Sequence, residues 1–112
     1  MQRPWQVTNE KVDAVIGRIV QLCGPRRIIL FGSYVRGESD VDSDLDILIV
    51  SREPVSNPRK EAIRVRRGLR GIRMPMDILV IAENELRELA DVPGLVYREA
   101  LRGGRVVYES TA

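Results

Sequence analysis

At 112 residues, 44% apolar and 30% charged with a formal net charge of +2, the chain is sized for one domain with a real core, expected to span residues 1–112. Its single cysteine excludes an internal disulfide framework, and the absence of histidine excludes His-ligated zinc and His-based nucleophilic triads. No run approaches the ~20 apolar residues of a membrane span and the N-terminus lacks a signal-peptide layout, so a cytoplasmic protein working with carboxylates, hydroxyls and arginines is expected.

In chain order, residues 1–6 contain Pro4 and Trp5 and read as irregular, with Trp5 at a core edge. Thr8 or Asn9 can cap a helix, with Val7 and Val12 placed as a hydrophobic staple. Val12, Val15, Ile16, Ile19, Val20 and Cys23 then trace one helical face until Gly24-Pro25 ends it. On that stripe Cys23 reads as a small buried apolar residue and not as a nucleophile. A first strand is expected over 26–31, because Ile28-Ile29-Leu30-Phe31 is a buried run that stops at Gly32. Ser33 to Gly37 is long enough for one or two helical turns. Asp40, Asp42, Asp44 and Asp46 alternate directly into a second buried strand over 45–50.

Residues 53–58, with two prolines and Asn57, read as a loop. A helix follows over 59–70, with Ala62, Val65, Leu69 and Ile72 on one face and Arg59, Arg66, Arg67 and Arg70 mostly elsewhere; Gly68 and Gly71 weaken its end. A third strand over 76–81 leads to a short helix over 83–90. Asp91 can cap another helix, with Pro93 in its first turn and Leu95, Val96 and Leu101 on its apolar side. Gly103-Gly104 stops it before a last strand over 105–108. The resulting order, α-β-α-β-α-β-α-α-β, predicts an α/β (α+β) domain with helices against a small sheet, whose strand order the pattern does not specify.

Charge is distributed unevenly. Five acids and no Lys or Arg lie between Glu38 and Asp46, whereas eight basic residues face two acids, Glu53 and Glu61, between Arg52 and Arg73. Sixteen of the eighteen basic residues are Arg, which favours bidentate recognition of phosphate or carboxylate. The 52–73 segment fits either a solvated helix face or a binding surface, and direct nucleic-acid binding stays open.

The chemistry concentrates between Gly32 and Val50. Side chains alternate along a strand, so Asp44 and Asp46 project on one side. Two carboxylates that close repel each other and lose hydration on entering the core. A divalent cation relieves both problems, and Mg²⁺ favours one or two carboxylates with positions left for water and phosphate. Gly32 allows close backbone approach to a phosphate, and Ser33 brings a hydroxyl and amides to the start of a helical turn. Arg36, three residues after Ser33, falls on the same side of that turn and can reach a triphosphate or pair with Glu38 or Asp40. A calcium loop starting at Asp42 fails because Ile47 stands where its sharp turn needs Gly. Asp40 and Asp42 need no role beyond keeping a loop soluble and blunting a strand end.

Gly-Ser, ten residues, then Asp-x-Asp, here Gly32-Ser33 with Asp44 and Asp46, resembles the signature of the polymerase-β-like nucleotidyltransferases, and the chain looks like their minimal nucleotidyltransferase branch. That family's third carboxylate is matched by Asp77, a lone acid in the apolar run MPMDILVI. The resemblance implies a small mixed sheet with the catalytic acids on adjacent strands. It implies that Asp44, Asp46 and Asp77 are catalytic and hold a two-metal Mg²⁺ site, and that Gly32, Ser33 and Arg36 bind the nucleotide, with ATP as substrate. It also implies a hetero-oligomeric partner, a HEPN-domain toxin (a helical ribonuclease-like protein), on whose tyrosine AMP would be placed, making this chain an antitoxin. The alternatives are a binding-only antitoxin that occludes its partner, and nucleotidyl transfer to RNA or a small molecule.

Overall fold

The computed structural model describes residues 4–38 and 43–111. Thr8 opens α1 (Asn9–Cys23): its hydroxyl accepts from the Lys11 amide at 3.2 Å, and Val7 packs on the core that holds Val12, as a staple requires. The chain continues through β1 (Arg27–Phe31), α2 (Ser33–Arg36), β2 (Leu45–Ser51), α3 (Pro58–Gly68), β3 (Met76–Ala82), α4 (Glu83–Leu89), α5 (Val96–Gly103) and β4 (Arg105–Glu109). This is the element order expected from the sequence. Trp5, expected at a core edge, is exposed.

The sheet runs β3-β2-β1-β4. β2 is parallel to β3 and antiparallel to β1, which pairs antiparallel with β4. The parallel pair is possible because α3 supplies the crossover between its strands. Alternation then divides the core in two. Ile28, Leu30, Leu45, Ile47, Ile49, Ile78 and Val80 face α1 and α3, where Val12, Val15, Ile19, Val65 and Leu69 meet them. Ile29, Phe31, Leu48, Val50 and Ile81 face α4 and α5 through Leu86 and Ala100. Helices on both faces explain why β1 and β2 are written as continuous apolar runs. Each fully buried Ile or Leu contributes about 1.5–3 kcal/mol, so the central strands are the most firmly held part of the molecule.

Some boundaries differ from expectation for local reasons. α3 begins at Pro58 because the Asn57 side chain accepts from the Lys60 amide at 3.1 Å, a cap with proline in the first turn. α5 begins only at Val96. Asp91 caps nothing, since Val92-Pro93-Gly94-Leu95 closes as a turn in which the Leu95 amide reaches the Val92 carbonyl at 3.4 Å. Proline followed by glycine at the centre of four residues favours that turn over a helix start. Gly68 has a packing role: a Cβ there would lie 2.5 Å from Leu22 Cδ1, so glycine lets α3 approach α1. Cys23 is half-buried against the α1/α3 core, and burial pushes its thiol pKa up, as suits a packing residue. No helix among the described residues is long and apolar enough to cross a membrane.

Candidate active site at the acidic ends of the parallel strands

In the parallel ladder Asp46 of β2 is paired with Asp77 of β3. Paired residues of neighbouring strands share a face, and the strands lie ~4.8 Å apart, so these carboxylates are side by side. Their face is the one covered by α4 and α5, since Leu48 and Leu79 follow them in register on that side. The cover does not extend over the strand ends: Asp46 is half-buried, whereas Asp77 and Asp44 are exposed. Asp44 precedes β2 by one residue, and the Leu45 amide bonded to the Pro75 carbonyl at 2.9 Å fixes where it leaves the ladder. The three aspartates singled out in the sequence are thus brought to one end of one face.

Across β1 from this pair, Asp46 is opposite Phe31, which places the Gly32 turn over its carboxylate. Gly32 has φ 80° and ψ −158°, a conformation that side chains disfavour. A Cβ at Gly32 would overlap Asp46 Oδ2 and lie 3.1 Å from its carboxyl carbon. Gly32 therefore makes room for a carboxylate, where the sequence suggested close approach to a phosphate. Ser33 follows as the first residue of α2 and is half-buried.

Electrostatics single out Asp46. Burial pushes its carboxyl above the ordinary value, and Asp77, Asp44 and Glu99 each push it further the same way; Arg36 pulls it down. Glu99 was not legible as a site residue, because it stands on α5 and only packing of α5 on β1 brings it here. Its Oε1 accepts from Arg36 Nη1 at 3.1 Å, while Arg36 Nε donates to Glu38 Oε2 at 3.1 Å. Arg36, expected to bind phosphate or pair with Glu38 or Asp40, is thus held by two carboxylates in this state. Asp40 and Asp42 lie outside the described residues.

The donors gathered here are all carboxylate oxygens, partly exposed and with more negative charge than Arg36 balances, which suits a hard divalent cation. Among the described residues, no three Asp, Glu, His or Cys side chains close round a single point. The set is open, as fits Mg²⁺, which takes one or two carboxylates and leaves its other positions to water and phosphate. A separate cavity of about 730 Å³ lies on the opposite face, between α3, the loop after β2 and the end of α1, lined by Ile49, Val55, Ile63 and Val80. Its lining includes Glu53 and Glu61 but not Asp44, Asp46 or Asp77, so the aspartates and the cavity are different places.

Comparison with known proteins identifies the family of this fold. The nucleotidyltransferase domain model matches residues 12–106, which include every strand but the last residues of β4. The chain belongs to the nucleotidyltransferase domain family. A Methanocaldococcus jannaschii protein provisionally named a protein adenylyltransferase is 45% identical over 40 residues, a stretch that spans 35% of this chain and 40% of that relative. Among solved structures, a Sulfolobus solfataricus protein provisionally described as a nucleotidyltransferase superposes with a TM-score of 0.63 at 20% identity, covering 89% of this chain and 78% of that one. A toxin–antitoxin solved with AMP-PNP gives 0.56 at 18% identity over 94% and 76%. A mutant of the toxin–antitoxin MntA-HpeT gives 0.55 at 16% identity over 94% and 76%. At such identities these structures speak for the shared nucleotidyltransferase fold.

Proposed function

We propose that this nucleotidyltransferase domain is Mg²⁺-dependent and moves AMP from ATP onto a tyrosine hydroxyl of a partner HEPN-domain toxin, acting as its antitoxin. The observation that carries the reading is the Asp46–Asp77 pair beneath Gly32 with Asp44 alongside: three carboxylates on one open face, which folding alone does not require. Bound Mg²⁺ would neutralise phosphate charge and lower the pKa of the attacking hydroxyl. Asp44 and Asp46 are the residues to hold the metal with its triphosphate, and Ser33 and Arg36 orient the phosphates. Asp77 would also hold metal and would accept or relay the proton of the tyrosine hydroxyl, whose oxygen bonds to the α-phosphorus as the bond to pyrophosphate breaks. The provisional name of the M. jannaschii relative supports a protein acceptor, and the toxin–antitoxin neighbours, one solved with AMP-PNP, support a toxin partner and a nucleotide substrate.

Neutralisation of the partner at limiting amounts of this chain tests the reading, with ATP and Mg²⁺ present. A catalyst modifies many partner molecules, so wild type is expected to neutralise well below one equivalent, and Asp77→Asn to fail there while still binding ATP. If wild type stops at its own concentration and Asp77→Asn equals it, the protein is an occluding binder and the transfer reading is wrong.

A further inference from the structure

The Arg36–Glu99 contact joins residues 63 apart in sequence and ties α2, the turn after Gly32-Ser33, to α5. The two anchors of the guanidinium differ in kind. Glu38 belongs to the same loop, two residues on, and is exposed. Glu99 stands on a fixed platform. Its neighbour Ala100 is 1% exposed and packs in the cluster that holds Ile29 and Phe31, the latter paired with Asp46. The Gly104 amide closes the end of α5 on the Ala100 carbonyl at 3.0 Å. Glu99 is thereby carried on the scaffold that carries the aspartates.

A guanidinium has five N–H donors, and these contacts use one on Nε and one on Nη1, leaving the others for a further anion. Between exposed partners such pairs add little to folding, because solvent and salt screen them. Holding the side chain has another consequence, because a free arginine gives up rotamer entropy when a ligand immobilises it.

We propose that Glu99 is a positioning residue for the nucleotide: from α5 it anchors the Arg36 guanidinium so that the remaining donors are held beside the Ser33 turn for the phosphates. The proposal rests on the nucleotidyltransferase reading above, since it needs a triphosphate at that turn. It also gives α5 a part in the site that the Gly-Ser and Asp-x-Asp motifs do not contain.

The test is a double-mutant cycle read by calorimetric binding of AMP-PNP with Mg²⁺. Glu99→Ala is expected to weaken binding about 3–10-fold, the usual size of coupling between contacting groups. Arg36→Gln should weaken it at least as much, and adding Glu99→Ala to Arg36→Gln should change nothing more. Glu99→Gln, whose amide oxygen still accepts from Arg36, should recover most of the loss, which a purely charge-based effect of Glu99 would not allow. Thermal melts of each variant establish that the fold is kept. Unchanged or tighter binding by Glu99→Ala, additive losses in the double variant, or Glu99→Gln behaving as Glu99→Ala would overturn the proposal while leaving the nucleotidyltransferase reading standing. Wild type that fails to bind AMP-PNP with Mg²⁺ would overturn both.

Discussion

Replacing Asp46 by Asn should stabilise the metal-free protein while abolishing transfer. Asp46 is half-buried beside Asp77 and follows Asp44 by two residues, and each carboxylate raises its pKa after the larger effect of burial. Unit charges about 5 Å apart repel by about 0.8 kcal/mol at the dielectric of water and by about 3 kcal/mol at an effective value of 20. Because Asp77 and Asp44 are exposed, the lower figure applies, and salt reduces it further. The Asp46→Asn side chain keeps the shape and loses the charge, so a gain of about 0.5–1 kcal/mol is expected, or roughly 2–6 °C in melting temperature. The sign with pH follows from the raised carboxyl: between its unfolded and folded pKa the native state holds more protons, so wild-type stability falls as pH rises through that window. The advantage of the variant should therefore be complete near neutral pH and shrink as pH drops through the window, closing below the ordinary Asp value of 3.8. Melts at low salt across pH, with and without Mg²⁺, decide the matter. Mg²⁺ at ten times its dissociation constant would stabilise wild type by about 1.4 kcal/mol and reverse the order. A variant that loses more than about 1 kcal/mol without metal, or a difference indifferent to both pH and salt, would make Asp46 a structural residue and refute the argument.

Gly32→Ala combines an unfavourable backbone conformation with a Cβ that overlaps the Asp46 carboxylate, so a loss of about 1–3 kcal/mol in urea unfolding and a loss of transfer are expected. Stability within about 0.5 kcal/mol of wild type would show that the turn relaxes freely. Gly68→Ala would ordinarily strengthen a helix by about 0.5–1 kcal/mol, but its Cβ would lie 2.5 Å from Leu22 Cδ1, and displacing that half-buried side chain should cancel most of the gain in the same assay. The full helix gain in Gly68→Ala would mean that Leu22 moves aside freely.

Much of the candidate site was legible because its residues violate local expectation. Asp44 and Asp46 interrupt the entry to a buried strand, Asp77 is a lone acid in an apolar run, and Gly32 follows four buried residues. What alternation cannot supply is which strands are neighbours. The pairing of Asp46 with Asp77 depends on the α3 crossover placing β3 beside β2, a property of the assembled sheet. Glu99 was hidden for the same reason, since nothing near it in sequence differs from an ordinary exposed helix residue. The late start of α5 has a local cause: at Pro93-Gly94 turn chemistry overrode a plausible cap at Asp91. Gly68 reads as a weak helix end until Leu22 is seen against it.

The central claim is transfer, and labelled nucleotide tests it most directly. The chain would be incubated with the product of its genomic neighbour, Mg²⁺ and ATP labelled at the α-phosphate, and the partner then mapped for label. The account predicts label on a partner tyrosine at a ratio well above one per molecule of this chain, lost with chelator and with Asp46→Asn or Asp77→Asn. An unlabelled partner that is nonetheless neutralised one for one, or labelling that persists in Asp77→Asn, would contradict it.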